Sequence, residues 1–116
     1  MSIANNVQAV IDGILSGAIL DTFERHYAED VVMSENRGDE RVGKAANRKH
    51  EQAFVDGVEF HGAEVGHVLI AGDHAAIEWT FDMTPKGGQR VQQRQIAMQT
   101  WRDGQIIRED FYYSQG

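Results

Sequence analysis

The sequence predicts an α+β domain in which N-terminal helices pack on a curved, mainly antiparallel sheet. Apolar residues recur every three or four positions in the first half of the chain and every second position in the second half. Turn signals such as Asp103-Gly104 separate the later segments, as in hairpins. Because helices must cover one face of such a sheet, and long twisted strands curl, we expect a cone-shaped barrel open at one end to a small ligand.

Composition sets the domain organisation and excludes several functions. A chain of 116 residues fits a single domain, 1–116, and 41% hydrophobic residues are enough for a packed core. The absence of cysteine excludes disulfides, a thiolate nucleophile and a cysteine zinc site. A net charge of −7 disfavours nucleic acid and anionic membrane surfaces as partners. With neither a leader pattern nor a long apolar run, we expect a cytoplasmic protein.

Three helices are predicted in the first half. The first carries apolar residues from Ile3 to Leu15 with Ser2 as its N-cap, and a short second one carries Leu20, Phe23 and Tyr27. Asp21 or Thr22 is expected to cap the second helix. The third opens at Gly43 and runs to about Phe54, and its less polar stripe is formed by Ala46, His50, Ala53 and Phe54.

Alternating segments predict five strands. The first begins at Val31, with Met33 and Glu35 on the same side, and is followed by a polar turn over residues 37–41. The others are Val65–Ile70, Ala75–Met83, Val91–Trp101 and Ile106–Tyr113, joined by hairpin turns.

Several of these segments together resemble the SnoaL-like branch of the nuclear transport factor 2-like superfamily. They are residues 23–33, Gly43 at the start of a helix, and residues 101–106. The resemblance spans nearly the whole chain and implies a cone-shaped α+β barrel. The family includes ketosteroid isomerases, polyketide cyclases, dehydratases, epoxide hydrolases and members without catalytic activity, so fold alone does not assign the chemistry.

The resemblance implies one catalytic residue, Glu35. The run from Tyr27 to Asp30 is similar to the segment before the general base of ketosteroid isomerases, and Glu35 falls at the position of that base. The isomerase's oxyanion donors would fall at Ile11 and near Ile96 or Ala97, which cannot donate from their side chains, so steroid isomerisation is disfavoured. The relay of epoxide hydrolases is disfavoured too, because Thr80 and Phe111 replace its arginine and final acid.

Strand alternation then predicts the lining of the cone. Glu35 faces an apolar interior, which we expect to raise its pKa towards that of a working base; the alternative is a solvated residue at a strand end. The candidate ligand contacts, with the strand faces turned inward as in the family, are His50, Trp79, Gln95, Gln99, Glu109, Phe111 and Tyr113. If the other face of the Trp79 strand is inward, Glu78, Thr80 and Asp82 enter the cavity instead. Neither a metal nor an organic cofactor is expected.

Two functions from different classes follow from this reading. The first is a pocket protein that acts as a cofactor-independent acid/base enzyme, of the isomerase, cyclase or dehydratase type, on a small and mostly apolar ligand. The second is a non-catalytic ligand-binding or dimeric interaction module. Apolar residues on both faces of a strand, such as Ile96 and Met98 opposite Ala97 and Trp101, predict a homodimer. An open cavity favours catalysis, and a cone filled by Trp79 and Trp101 favours the module.

Overall fold

A computed structural model describes residues 2–114. In this part of the chain three helices and six strands follow one another as α1 (Ile3–Leu15), α2 (Ile19–His26), β1 (Tyr27–Glu35), β2 (Arg41–Val42), α3 (Lys44–Gly57), β3 (Val58–Ala71), β4 (His74–Pro85), β5 (Val91–Arg102) and β6 (Gln105–Tyr113). No helix between Ser2 and Ser114 is both long and apolar enough to span a membrane.

The six strands form one mixed sheet in the order β2-β1-β6-β5-β4-β3. Strands β1 and β6 pair in parallel, and every other neighbouring pair is antiparallel. The predicted α+β class is thereby confirmed. The sheet is not closed, since β2 and β3 are its two edges, and the helices cover one of its faces, where the core lies.

The first two helices pack against the sheet through short apolar stripes. In α1 the Ser2 hydroxyl accepts the Asn5 amide at 3.2 Å, which confirms the predicted N-cap, and Val10 is fully buried. Helix α2 begins earlier than predicted, at Ile19, and no side chain caps it. Thr22 cannot serve as the cap because it lies inside α2, buried against α1.

The inward stripe of α3 differs from the prediction. Asn47 is fully buried, and Glu51 and Phe54 face the interior, whereas the predicted Ala46, His50 and Ala53 are exposed residues. The Asn47 amide donates to backbone carbonyls in β1, in β2 and at the start of α3, at 2.9 to 3.3 Å. A hydrophobic pattern misses this stripe because its first two members are polar residues, of which Asn47 is buried and Glu51 half-buried.

Two strands begin several residues before their predicted starts, and one lies where a turn was expected. Strand β1 starts at Tyr27 rather than Val31, and β3 starts at Val58 rather than Val65. The pairing of β3 with β4 shifts register twice, which interrupts the alternation that predicts strands. Arg41 was predicted to lie in a turn. It belongs instead to the two-residue edge strand β2, where it pairs with Met33 of β1.

Alternation on the two final strands places the inner face as predicted. On β5 Ala97, Gln99 and Trp101 are buried, while the intervening Met98 is exposed. A bulge in β6 lets Trp101 pair with Ile106 and Thr100 with Arg108, so Ile107 is the extra residue. Beyond the bulge Glu109, Phe111 and Tyr113 face inward, opposite Gln99, Ala97 and Gln95.

Candidate active site

A cavity of about 230 Å³ lies between the helices and the inner face of the sheet. All three helices and strands β1, β2, β4, β5 and β6 contribute to its wall. Its volume is slightly below the roughly 300–1,000 Å³ of sites for drug-sized molecules. The cavity therefore suits a small ligand. Trp101 does not enter it, and Trp79 forms part of its wall without filling it.

The structure brings seven of the eight predicted site residues to this cavity: Glu35, His50, Trp79, Gln95, Glu109, Phe111 and Tyr113. Gln99 is the exception, because it is 1% exposed and lies behind Glu109. The inner face of β4 is the one that carries Trp79, while Glu78 pairs outside the cavity with His67 at 3.1 Å. The geometry thus assembles the predicted group, and the roles of its members remain predictions.

Glu35 is held at the cavity by three residues from different elements. Arg41 Nη1 donates to Glu35 Oε2 at 2.8 Å, and the Tyr113 hydroxyl donates to Oε1 at 2.7 Å. His50 Nε2 lies 3.2 Å from the same Oε2 atom. Arg41 is itself oriented by the buried Asn47, whose Oδ1 accepts from its Nε at 3.1 Å. These contacts fix both carboxylate oxygens.

The expectation of a raised pKa for Glu35 is wrong. Burial does act to raise it, but hydrogen bonds from Tyr113 and Arg41, with the charges of Arg41 and His50, bring the pKa below its ordinary value. For His50, burial and the charge of Arg41 lower the pKa despite the opposing effect of Glu35. At neutral pH Glu35 is therefore a carboxylate that is fully engaged by its neighbours.

The pKa of Glu109 is shifted in the opposite direction to that of Glu35. It is 2% exposed, and burial raises its pKa to about 7 although hydrogen bonds from Tyr27 and Gln99 act to lower it. Tyr27 donates to Oε1, and Gln99 Nε2 donates to Oε2 at 2.8 Å. The Gln99 carbonyl accepts from Trp101 Nε1 at 3.0 Å, which fixes the amide so that its nitrogen faces Glu109. Gln99 is thus placed to position Glu109.

Glu51 on α3 lines the cavity, although the sequence analysis did not predict it as a site residue. Its side chain is half-buried where it lines the cavity, and burial raises its pKa to about 7, with Glu109 and Glu35 adding to the effect and Arg41 opposing it. It accepts no hydrogen bond from any residue between Ser2 and Ser114. Glu51 is therefore a carboxyl that faces the cavity unpaired and changes its charge near neutral pH.

Three other contributors also escaped prediction. Tyr27 was predicted to end an apolar helical stripe and Arg41 to lie in a turn, whereas Phe54 was placed on the less polar stripe of the third helix without a site role. The spacing of residues in α3 could have identified its inward face. Asn47, Glu51 and Phe54 follow one another at intervals of four and three residues and therefore share one side of the helix. Tyr27 and Arg41 carry no such signal, since tertiary pairing alone brings them to the cavity.

Three glutamates line the cavity, and only Glu35 among them is paired with an arginine of the described chain. Arg41 compensates Glu35, whereas Glu51 and Glu109 have no cationic side chain bonded to them. Within residues 2–114 no three or more histidine and acidic side chains are placed to hold a metal ion. The arrangement can exchange protons at Glu51 and can stabilise positive charge when its carboxyls ionise.

Solved structures of other proteins share this fold. A presumed SnoaL-like polyketide cyclase from Mesorhizobium loti is 30% identical over 97% of this chain and all of its own, with a TM-score of 0.88. A presumed polyketide cyclase from Xanthomonas campestris pv. campestris is 25% identical over 96% of this chain and 89% of its own, with a TM-score of 0.76. A presumed isomerase from Bacillus subtilis shares the fold, at 18% identity over 96% and 85% of the two chains and a TM-score of 0.80.

Curated proteins gave no significant match to the sequence. The sequence profile of the SnoaL-like domain matches residues 7–109, which include every element from α2 to β5 and most of α1 and β6. The resemblance seen in the sequence is confirmed: the chain belongs to the SnoaL-like domain family.

Proposed function

We propose that the protein binds a small, mostly apolar molecule in its cavity and transfers a proton to or from it without a cofactor. The observation that carries this proposal is Glu51, an unpaired carboxyl facing the cavity whose pKa is raised to about 7 by burial. General acid/base groups work best when their pKa lies near the working pH. An isomerase, cyclase or dehydratase needs such a group.

The remaining cavity residues fit supporting roles in this chemistry. In its ionised form Glu51 removes a proton from carbon, and in its protonated form it returns that proton to another atom of the ligand. Gln95, Tyr113, Trp79 and Phe111 line the cavity. In the proposed complex Gln95 and Tyr113 contact polar atoms of the ligand, and Trp79 and Phe111 contact its apolar part. The cyclase and isomerase names of structural relatives support the same class of reaction.

A test of the proposal does not require the natural ligand. The ring of 5-nitrobenzisoxazole opens in one step when a base removes the C3 proton. The electron pair of the C–H bond forms the nitrile, and the N–O bond breaks with its electron pair moving to oxygen. The single product is the coloured 2-cyano-4-nitrophenolate. We expect turnover that rises with pH and levels off above about 7, as Glu51 ionises. Glu51→Gln is expected to lower the rate constant about 100-fold, the lower range for loss of a general base.

Two further variants separate the alternatives. Glu64→Gln removes an exposed carboxyl from β3 and is expected to leave the rate unchanged. Glu35→Gln tests the residue that the sequence proposed as base. If Glu35→Gln abolishes turnover while Glu51→Gln retains it, Glu35 is the base. Turnover that is unaffected by either change would show that the cavity does not perform this chemistry.

The dimeric module is the second candidate, and one surface favours it. On the outer face of the sheet Met98 is 38% and Tyr112 37% exposed, next to the half-buried Ile96. We propose that this face pairs with a second copy of the chain. Sedimentation equilibrium at micromolar concentration is expected to give a dimer that Met98→Glu converts to monomer, and a monomeric wild type would contradict the pairing.

A further inference from the structure

We propose that the ligand of this cavity carries a small organic ammonium group, which lies between the carboxyls of Glu51 and Glu109 and the aromatic wall. The inference rests on the proposed function, because it names the class of ligand for the same cavity. It draws on three independent features: an uncompensated pair of carboxyls, an aromatic lining and a small volume.

The uncompensated charge is the first feature. The titratable and charged groups that face Glu51 come from β1, β2, α3 and β6, namely Tyr27, Glu35, Arg41, His50 and Glu109. Arg41 is the cation among them, and it is bonded to Glu35. A ligand that supplies a positive charge would therefore satisfy the carboxyls that the protein leaves without a counter-charge.

The state of Glu109 supports the same conclusion. Both of its oxygens accept hydrogen bonds, from the Tyr27 hydroxyl and the Gln99 amide, and such donors stabilise the carboxylate form. When a cation enters, Glu109 is thus prepared to be the anion that pairs with it. Glu51, which has no hydrogen-bond donor, remains able to exchange its proton.

Aromatic side chains supply the second feature. Phe23 and Tyr27 stack with ring centroids 4.7 Å apart, and Trp79 and Phe81 stack at 5.3 Å; all four rings line the cavity. Aromatic faces attract ammonium groups, above all when water is excluded, and cages of such rings recognise quaternary ammonium ions. A neutral apolar ligand would contact the rings but would leave Glu51 and Glu109 without a counter-charge.

The volume is the third feature, because it limits the ligand to a small molecule. At about 230 Å³ the cavity admits a compact ammonium such as choline. Choline is a suitable probe because its quaternary nitrogen has no proton to lose, so any pH dependence of binding comes from the protein. The alcohol 3,3-dimethylbutan-1-ol has the same shape and no charge, which makes it a matched control.

The experiment measures the affinity of both probes at pH 6 and pH 8 by NMR titration. If choline binds the form with an ionised carboxyl of pKa about 7, its affinity is expected to be about tenfold higher at pH 8 than at pH 6. The affinity of the neutral alcohol is expected not to rise with pH. Glu51→Gln is expected to reduce the pH effect on choline, whereas the exposed Glu64→Gln leaves it intact.

Each alternative outcome has a distinct meaning. Binding of the alcohol with equal or greater affinity than choline at pH 8 would overturn the ammonium inference and leave a ligand cavity in place. Choline affinity independent of pH, or unchanged in Glu51→Gln, would also overturn it. The proposed function fails separately, when Glu51→Gln retains the turnover of 5-nitrobenzisoxazole.

Discussion

The buried carboxyl of Glu51 makes the stability of the protein depend on pH in a defined direction. Its pKa is about 7 in the folded protein and about 4.5 when exposed, so between these values the folded state binds more protons than the unfolded state. Stability is therefore lost as the pH rises through this range. Glu109 acts in the same direction, because its pKa is also raised to about 7.

The size of the effect follows from those values. At 1.4 kcal/mol per pH unit, the full difference between 4.5 and about 7 is about 3 kcal/mol, of which about 2 to 3 kcal/mol falls between pH 5 and pH 8. Glu51→Gln keeps the shape of the side chain and removes its charge. We expect the variant to be more stable than the wild type at pH 8 by about that amount, and nearly equal to it at pH 5.

Urea denaturation at the two pH values, followed by tryptophan fluorescence, measures this difference. His26 and His50 have lowered pKa values, mainly because of burial, and on their own they make the protein less stable below about pH 6.5. Comparison of variant with wild type at each pH removes that contribution. Glu64→Gln controls for the loss of one exposed carboxyl. Equal losses of stability in wild type and Glu51→Gln would refute the reasoning.

Two further changes test the networks around the cavity. Arg41→Met removes a hydrogen bond and a charge that lower the pKa of Glu35, so NMR titration of that carboxyl is expected to show a higher value. Gln99→Met leaves the Trp101 indole nitrogen and one oxygen of Glu109 without their partners. We expect it to lower the free energy of unfolding by about 1–3 kcal/mol for each unpaired buried group and to raise the pKa of Glu109 further.

The outcomes that contradict these two predictions are specific. An unchanged titration of Glu35 in Arg41→Met would show that Arg41 does not hold its pKa down. Unchanged stability in Gln99→Met would show that the amide is not needed to satisfy its neighbours, and an unchanged pKa of Glu109 would show that its hydrogen bond from Gln99 does not affect its ionisation.

The sequence was sufficient for the fold class and for the inward face of the later strands. Alternation is a local property of the chain, because successive side chains of a strand point to opposite faces. Alternation therefore groups Ala97, Gln99 and Trp101 on one face, and the resemblance to the SnoaL-like family predicted that this face turns inward. The seven predicted residues that line the cavity were found largely in this way, with the family resemblance supplying Glu35.

Electrostatic roles could not be assigned in this way, since they depend on contacts between distant segments. Glu35 was expected to be the perturbed carboxyl, but Arg41 and Tyr113 neutralise the effect of its burial. Glu51 was not proposed as a site residue, because its helix is polar overall; in the structure the Asn47 and Glu51 side of that helix faces inward.

By itself the sequence determined the α+β class, since helical and strand periodicities are local properties of the chain, and its resemblance to known members indicated the SnoaL-like family. Only the tertiary structure decided that Glu35 is paired with Arg41, whereas Glu51 accepts no hydrogen bond from residues 2–114. A pKa reflects the solvent and charges within a few ångströms, and at this cavity those come from residues as far apart along the chain as Tyr27 and Glu109.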